Sequence, residues 1–142
     1  MKRFVTVFFV VIAIIINLLV FNSCSTQPKN SDFLRIHIIA NSNSDFDQKV
    51  KYKVKDNITG KLSDLLVKAD NKTEAKKIIQ DNKDDILFWT NEELKKNNTD
   101  YSAFLEIKNK EFPARVYDDI VFEKGFYDAI IITLGQGTGD NW

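Results

Sequence analysis

Apolar and polar positions change their period several times along this chain, and each change marks an element. Leu34, Ile36 and Ile38 alternate with Arg35, His37 and Ile39, which predicts a strand buried mainly on one side. Asn41, Ser42, Asn43 and Ser44 break the alternation, since their short polar side chains compete for backbone hydrogen bonds and favour turns and helix starts. Ser44 with Asp47 three residues on has the form of a capping box, and Asp45 and Asp47 suit the positive end of a helix. Phe46, Val50, Val54, Ile58, Leu62, Leu65 and Leu66 then recur about every four positions, a helical stripe that Gly60 weakens. Val50 to Lys55 also alternates like a strand, but over six residues only, and the longer helical spacing prevails.

A second helix is expected from near Asn71, with Glu74 in its capping box. It directs Ala75, Ile78, Ile79, Ile86, Trp89 and Leu94 to the core, leaves Lys76, Lys77, Asp81, Asp84, Asp85 and Glu92 in water, and ends at Asn97-Asn98-Thr99. Trp89 reads as a core anchor against the sheet. Tyr101, Ala103, Leu105 and Ile107 define a strand to Lys108, and Asn109-Lys110 is a two-residue turn candidate leading into Phe112 to Tyr117, with Pro113 tolerable at an edge or bulge. Asp118-Asp119 turns the chain into a short strand, Ile120 to Phe122. Phe126 to Leu134 lacks alternation at Ala129-Ile130-Ile131-Ile132, as expected of a strand covered on both faces or central in its sheet. Together these elements predict an α+β fold with two helices packed on one face of a mixed β-sheet, in the order β-α-α-β-β-β.

The chain before this domain reads as delivery. Lys2 and Arg3 precede an apolar run from Phe4 to Phe21, the pattern of a signal peptide or an N-terminal membrane anchor over residues 1–25. Ser23-Cys24-Ser25 offers small residues for cleavage, and lipidation of Cys24 is an alternative. Residues 26–32 form a polar tether, and residues 33–142 an exported domain. Cys24 is the only cysteine, so neither an intrachain disulfide nor a cysteine metal site can form. The chain has 20 basic and 20 acidic residues; without Lys2 and Arg3 the balance is 18 to 20, a net charge of −2. No basic face or nucleic-acid signature is visible, so nucleic acid is not an expected partner.

The last stretch, Gly135-Gln136-Gly137-Thr138-Gly139-Asp140-Asn141-Trp142, concentrates glycine where backbone amides can approach an anion or a partner. A dinucleotide fingerprint is a poor fit, because the third glycine falls one place early and no helix follows. Its proximity to Asn41–Ser44 depends on strand parity, which the pattern leaves open. Catalysis has little support. His37 is the one histidine and reads as a structural hydrogen bonder, no nucleophile elbow is visible, and Asp84-Asp85 and Asp118-Asp119 are adjacent pairs whose side chains diverge. No metal, no cofactor and no catalytic residue is therefore expected.

The segments LRIHIIANSNSDFDQKVKYKVKDNI, FPARVYDDIVF and GFYDAIIITLGQGTGDNW resemble the stage II sporulation protein R (SpoIIR) family of endospore-forming Firmicutes, over Phe33 to Trp142. The resemblance rests most on Arg35, His37, Ala40, Asn41, Ser42 and Asp45 and on the glycine-rich Asn-Trp ending. Asn43 stands where the family commonly has an acidic residue, and the family's pattern continues past Asn-Trp with an aromatic and Cys-containing tail. The resemblance implies a signalling protein exported from the forespore into the intermembrane space, where it activates the membrane-bound aspartic protease SpoIIGA and so the processing of pro-sigma-E. It implies a ligand rather than an enzyme, with membrane association through an uncleaved leader. The contact surface expected on this reading comprises Arg35, His37, Asn41, Ser42 and Asp45, with Gly135, Gly137, Gly139, Asn141 and Trp142. The competing readings are an extracytoplasmic hydrolase using His37 with a nearby Asp, and a generic surface binding module.

Overall fold

The structure, a computed structural model, describes residues 32–117 and 120–140. The leader over 1–25, nearly all of the tether, the Asp118-Asp119 turn and the Asn141-Trp142 pair lie outside the described residues. No helix among the described residues is long and apolar enough to cross a membrane.

Strand β1 (Leu34–Ile39) lies parallel to β5 (Gly125–Leu134), and β2 (Ala103–Phe112) lies antiparallel on the other side of β5, giving the order β1-β5-β2. The unalternating run is thus the central strand, as expected. Its Ile130, Ile132 and Leu134 join the core beneath the helices, while Tyr127, Ala129 and Ile131 are buried on the opposite face.

Helix α1 (Asp45–Leu66) runs unbroken through Gly60 and buries Val50, Val54, Ile58 and Leu62, the expected stripe with one correction at its start. Phe46 is 52 % exposed, and Asp47 takes the inward position. The reason is phase: on a helix of about 3.6 residues per turn each four-residue step drifts by about 40°, so Asp47 lies in line with the centre of the Val50–Leu62 stripe while Phe46 has slipped to its side. A Cβ on Gly60 would meet nothing within 4 Å. Gly60→Ala should therefore stabilise the domain by about 0.5–1 kcal/mol through helix propensity alone, read as a higher urea midpoint at unchanged m-value.

The second expected helix is divided into α2 (Lys72–Asp81) and α3 (Lys83–Lys96). Asn82 makes the break: its backbone leaves the helical region (φ −107°, ψ 20°) while its side-chain amide donates to the Ile78 carbonyl at 2.7 Å. Asn71 caps α2, accepting from the Glu74 amide at 3.0 Å. Ile79, Ile86 and Leu94 face the core as expected. Lys76, expected in water, instead reaches Asp128 of β5 together with Lys72, at 3.5 and 2.9 Å. Hydrogen bonding from Lys72 leads the influences that hold the Asp128 carboxyl below the usual carboxylate range, against the opposing effect of burial. Trp89 is only half-buried against the core, with the Lys61 ammonium of α1 4.8 Å from its ring centre.

The expected turn at Asn109-Lys110 does not form. β2 continues through both residues, pairing them with Asp128 and Tyr127, and reaches Phe112 opposite Gly125. Asn109-Lys110 has no glycine to take the second left-handed position of a tight hairpin turn, and continued pairing buries Phe112. Pro113 instead falls in the break between β2 and β3 (Arg115–Tyr117), which pairs with β4 (Ile120–Phe122) as a separate two-stranded ribbon. Phe112 comes back beneath β1, its ring 5.4 Å from the His37 ring, so the far end of the β2–β5 ribbon curls over the second face of the sheet.

Candidate functional site: a polar corner and an aromatic cage

Because β1 and β5 are parallel, their C-terminal ends leave the sheet side by side, and the Asn41–Ser44 turn meets the glycine-rich loop. The Thr138 amide donates to the Asn41 carbonyl and the Gly139 amide to the Ala40 carbonyl, both at 3.1 Å. The Gln136 amide donates to Asn41 Oδ1 at 2.8 Å, and Asn43 exchanges hydrogen bonds with Asp140, donating from Nδ2 at 2.9 Å and accepting from its amide at 2.6 Å. The glycines allow this closeness. Gly135 has φ +55°, and a Cβ there would lie 2.2 Å from Asn41 Oδ1; one on Gly139 would lie 2.7 Å from the Ser42 carbonyl.

Beneath the corner, Asp47 gathers its polar side chains. Its carboxylate accepts from Ser42 Oγ at 2.5 Å, Tyr101 Oη at 2.6 Å and Asn41 Nδ2 at 3.0 Å. Burial alone would raise its pKa, but these bonds, with the cap from Ser44, outweigh burial and keep the carboxyl ionised below its ordinary value. Tyr101 is pushed upward by burial and by donating to that carboxylate, so it remains a phenol. The reciprocal arm of a capping box is absent here: the Ser44 hydroxyl caps the Asp47 amide at 3.1 Å, while the Ser44 amide is taken by Ser42 Oγ, leaving the Asp47 carboxylate free to turn inward.

The expected site residues therefore separate into two groups. Asn41, Ser42, Gly135, Gly137 and Gly139 come together at the corner, where the side chains of Asn41 and Ser42 point toward Asp47. Asp45 is exposed beside them at the start of α1. Arg35 and His37 lie apart, on the second face of the sheet with Phe112. Asp47 and Tyr101 escaped the sequence reading as members of the site; the phase of the α1 stripe was the available signal for Asp47.

Arg35 sits in a cage of rings, its guanidinium carbon 4.4 Å from the Phe112 centroid, 5.0 Å from Tyr127 and 5.6 Å from Phe122. Such faces stabilise a cation through the ring quadrupole. His37 is depressed to about 4 by burial, then by the positive charges of Lys110, Arg35 and Lys51, and is neutral at physiological pH. The unfolded chain thus binds one more proton between about pH 6.5 and 4, so this contribution to stability is complete above 6.5 and is lost as pH falls toward 4. For a half-buried ring the effect should amount to about 2 kcal/mol. His37→Gln should flatten that part of the profile, measured as the change in urea midpoint between pH 7 and pH 4.5 relative to the parent protein.

Among the described residues no group of three or more His, Cys, Asp or Glu could hold a metal ion. A partly buried polar corner gathered on Asp47 and a caged cation on the second face are thus the two constellations of this α+β domain. Residues 30–142 match the family model for stage II sporulation protein R, and the chain belongs to that family. It is 31 % identical over 109 residues to stage II sporulation protein R of Bacillus subtilis (strain 168), covering 77 % of this chain and 49 % of that protein. The chain thus spans about half the length of this curated relative. No solved structure matches it.

Proposed function

We propose that this chain is an exported sporulation signal that activates the membrane-bound aspartic protease SpoIIGA, leading to processing of pro-sigma-E, and that it works as a ligand rather than as an enzyme. Family membership across the whole described domain carries the reading. Two features support it: the apolar leader fits passage out of the cell that makes the protein, and the corner locks two stretches nearly a hundred residues apart into one fixed outline. The contact surface on this reading is the outward side of that corner, Asn43, Asp45 and exposed Phe46, with Gly135 to Asp140 as its second strip. The hydrolase alternative gains no support from His37, whose charged surroundings are cationic.

Deleting the gene should abolish pro-sigma-E processing, and the full chain supplied in trans should restore it. Normal processing in the deletion strain would sink the proposal. Phe46→Ser, at an exposed position, should leave the urea midpoint nearly unchanged while reducing processing.

A further inference from the structure

Among the described residues β1 is an edge strand: it pairs with β5 alone, and no described strand takes up its other side. That edge forms the floor of a groove of about 290 Å³. One wall is α1, through Lys51, Tyr52 and Lys55; the other is the turn after β2, through Phe112, Pro113 and Arg115. Ile36 and Tyr52 leave apolar surface there, 40 % and 52 % exposed. Among the described residues three cations and no carboxylate line the groove.

Lys51 is the most telling of the three. Its side chain is buried, with the residue only 7 % exposed, yet its polar contacts among the described residues are neutral: Gln48 Oε1 at 2.6 Å and the Tyr52 ring, 5.1 Å to the centroid. Burial depresses its pKa. A buried ammonium held by neutral groups is only partly compensated, and an incoming carboxylate would complete it.

We propose that this groove binds an extended, acidic peptide segment of a partner protein, which adds to the sheet as a strand beside β1. Main-chain hydrogen bonds to the open edge supply affinity. Side chains pointing alternately toward α1 and toward Arg115 supply selectivity, carboxylates meeting Lys51 and Lys55 on one wall and Arg115 on the other. Charge argues against two other occupants. A second copy docked edge to edge would set these cations against their counterparts, and residues 1–31 of this chain contain no Asp or Glu. The inference stands on the edge and its charges and does not rest on the protease reading, because its test measures binding directly.

The probe is a fluorescein-labelled eight-residue peptide, Glu-Glu-Val-Val repeated once, whose carboxylates face both walls when it is extended; it is titrated by anisotropy into the full chain purified in neutral detergent. A lysine-and-valine peptide serves as the charge control. Two further versions of the acidic peptide carry N-methyl groups on odd or on even amides, so that each blocks one edge of the added strand. Expected are saturable binding of the acidic peptide, at least tenfold weaker binding of the lysine peptide, and at least tenfold loss in one N-methyl register only. The double variant Lys55→Glu, Arg115→Glu should lose at least tenfold, while Lys68→Glu, an exposed lysine outside the groove, should not; circular dichroism confirms that both remain folded. No binding of the acidic peptide, equal loss in both registers, or full binding by the double variant would overturn the proposal. So would self-association of the full chain that disappears in the double variant, since a second copy would then be the occupant.

Discussion

Asp47→Ala should lower the stability of the domain by about 3 kcal/mol, because it removes one acceptor from three donors at once. Ser42, Asn41 and Tyr101 all direct side-chain donors to that carboxylate. A donor left unsatisfied away from water costs about 1–3 kcal/mol, and Ser42 and Asn41, being only partly buried, recover some of this from solvent. Urea denaturation of the variant at pH 7 checks the figure; a loss below about 1 kcal/mol would mean that the corner stands without its buried acid. Asp47→Asn should cost less, since the amide oxygen still accepts. Because the folded carboxyl titrates below its unfolded value, the native bonus is present above the ordinary carboxylate range and vanishes as pH falls through the depressed value, a limb missing from both variants.

Gly135→Ala should be nearly as damaging, at about 2–4 kcal/mol. Positive φ alone disfavours an L side chain by about 1–2 kcal/mol, and the new Cβ would sit 2.2 Å from Asn41 Oδ1 and 2.9 Å from the Tyr101 ring. Asn41 cannot retreat cheaply, because the same oxygen accepts from the Gln136 amide and the same side chain donates to Asp47. Pairing Gly135→Ala with Asp47→Ala in a double-mutant cycle should give a combined loss well below the sum of the two, since both dismantle one network. Strict additivity would show that loop and turn are held independently. Gly60→Ala, with open space around its Cβ, is the control that should move the other way.

Most of the architecture was legible where a single period persists. The α1 stripe and the unalternating Ala129–Ile132 run led to the observed elements because burial against a core imposes those periods directly; the β1 alternation led to the strand but not to one-sided burial, since Ile36 is 40 % exposed while Phe112 covers Arg35 and His37 on the other face. Legibility failed where the deciding partner was distant in sequence. Asn109-Lys110 resembled a turn until β5 was found to pair with it residue by residue. Asn82 looked like one polar position in a helix whose hydrophobic phase does not change across it. The site was half legible: Asn41, Ser42 and the glycines were singled out, but as outward features, and the inward pull of Asp47 and Tyr101 required knowing that residues 47 and 101 meet. Nothing local could have placed Phe112 beneath Arg35 and His37.

The parallel pairing of β1 with β5 also governs the timing of assembly. Among the described strands the central one is synthesised last, and the first strand must wait for it across more than eighty intervening residues. A chain emerging N-terminus first from a ribosome or a narrow pore can coil its helices on the way, but it has no sheet to seat them on until Leu134 is clear. The three-stranded sheet can accordingly close only once β5 has been made, which makes its formation a late and cooperative step.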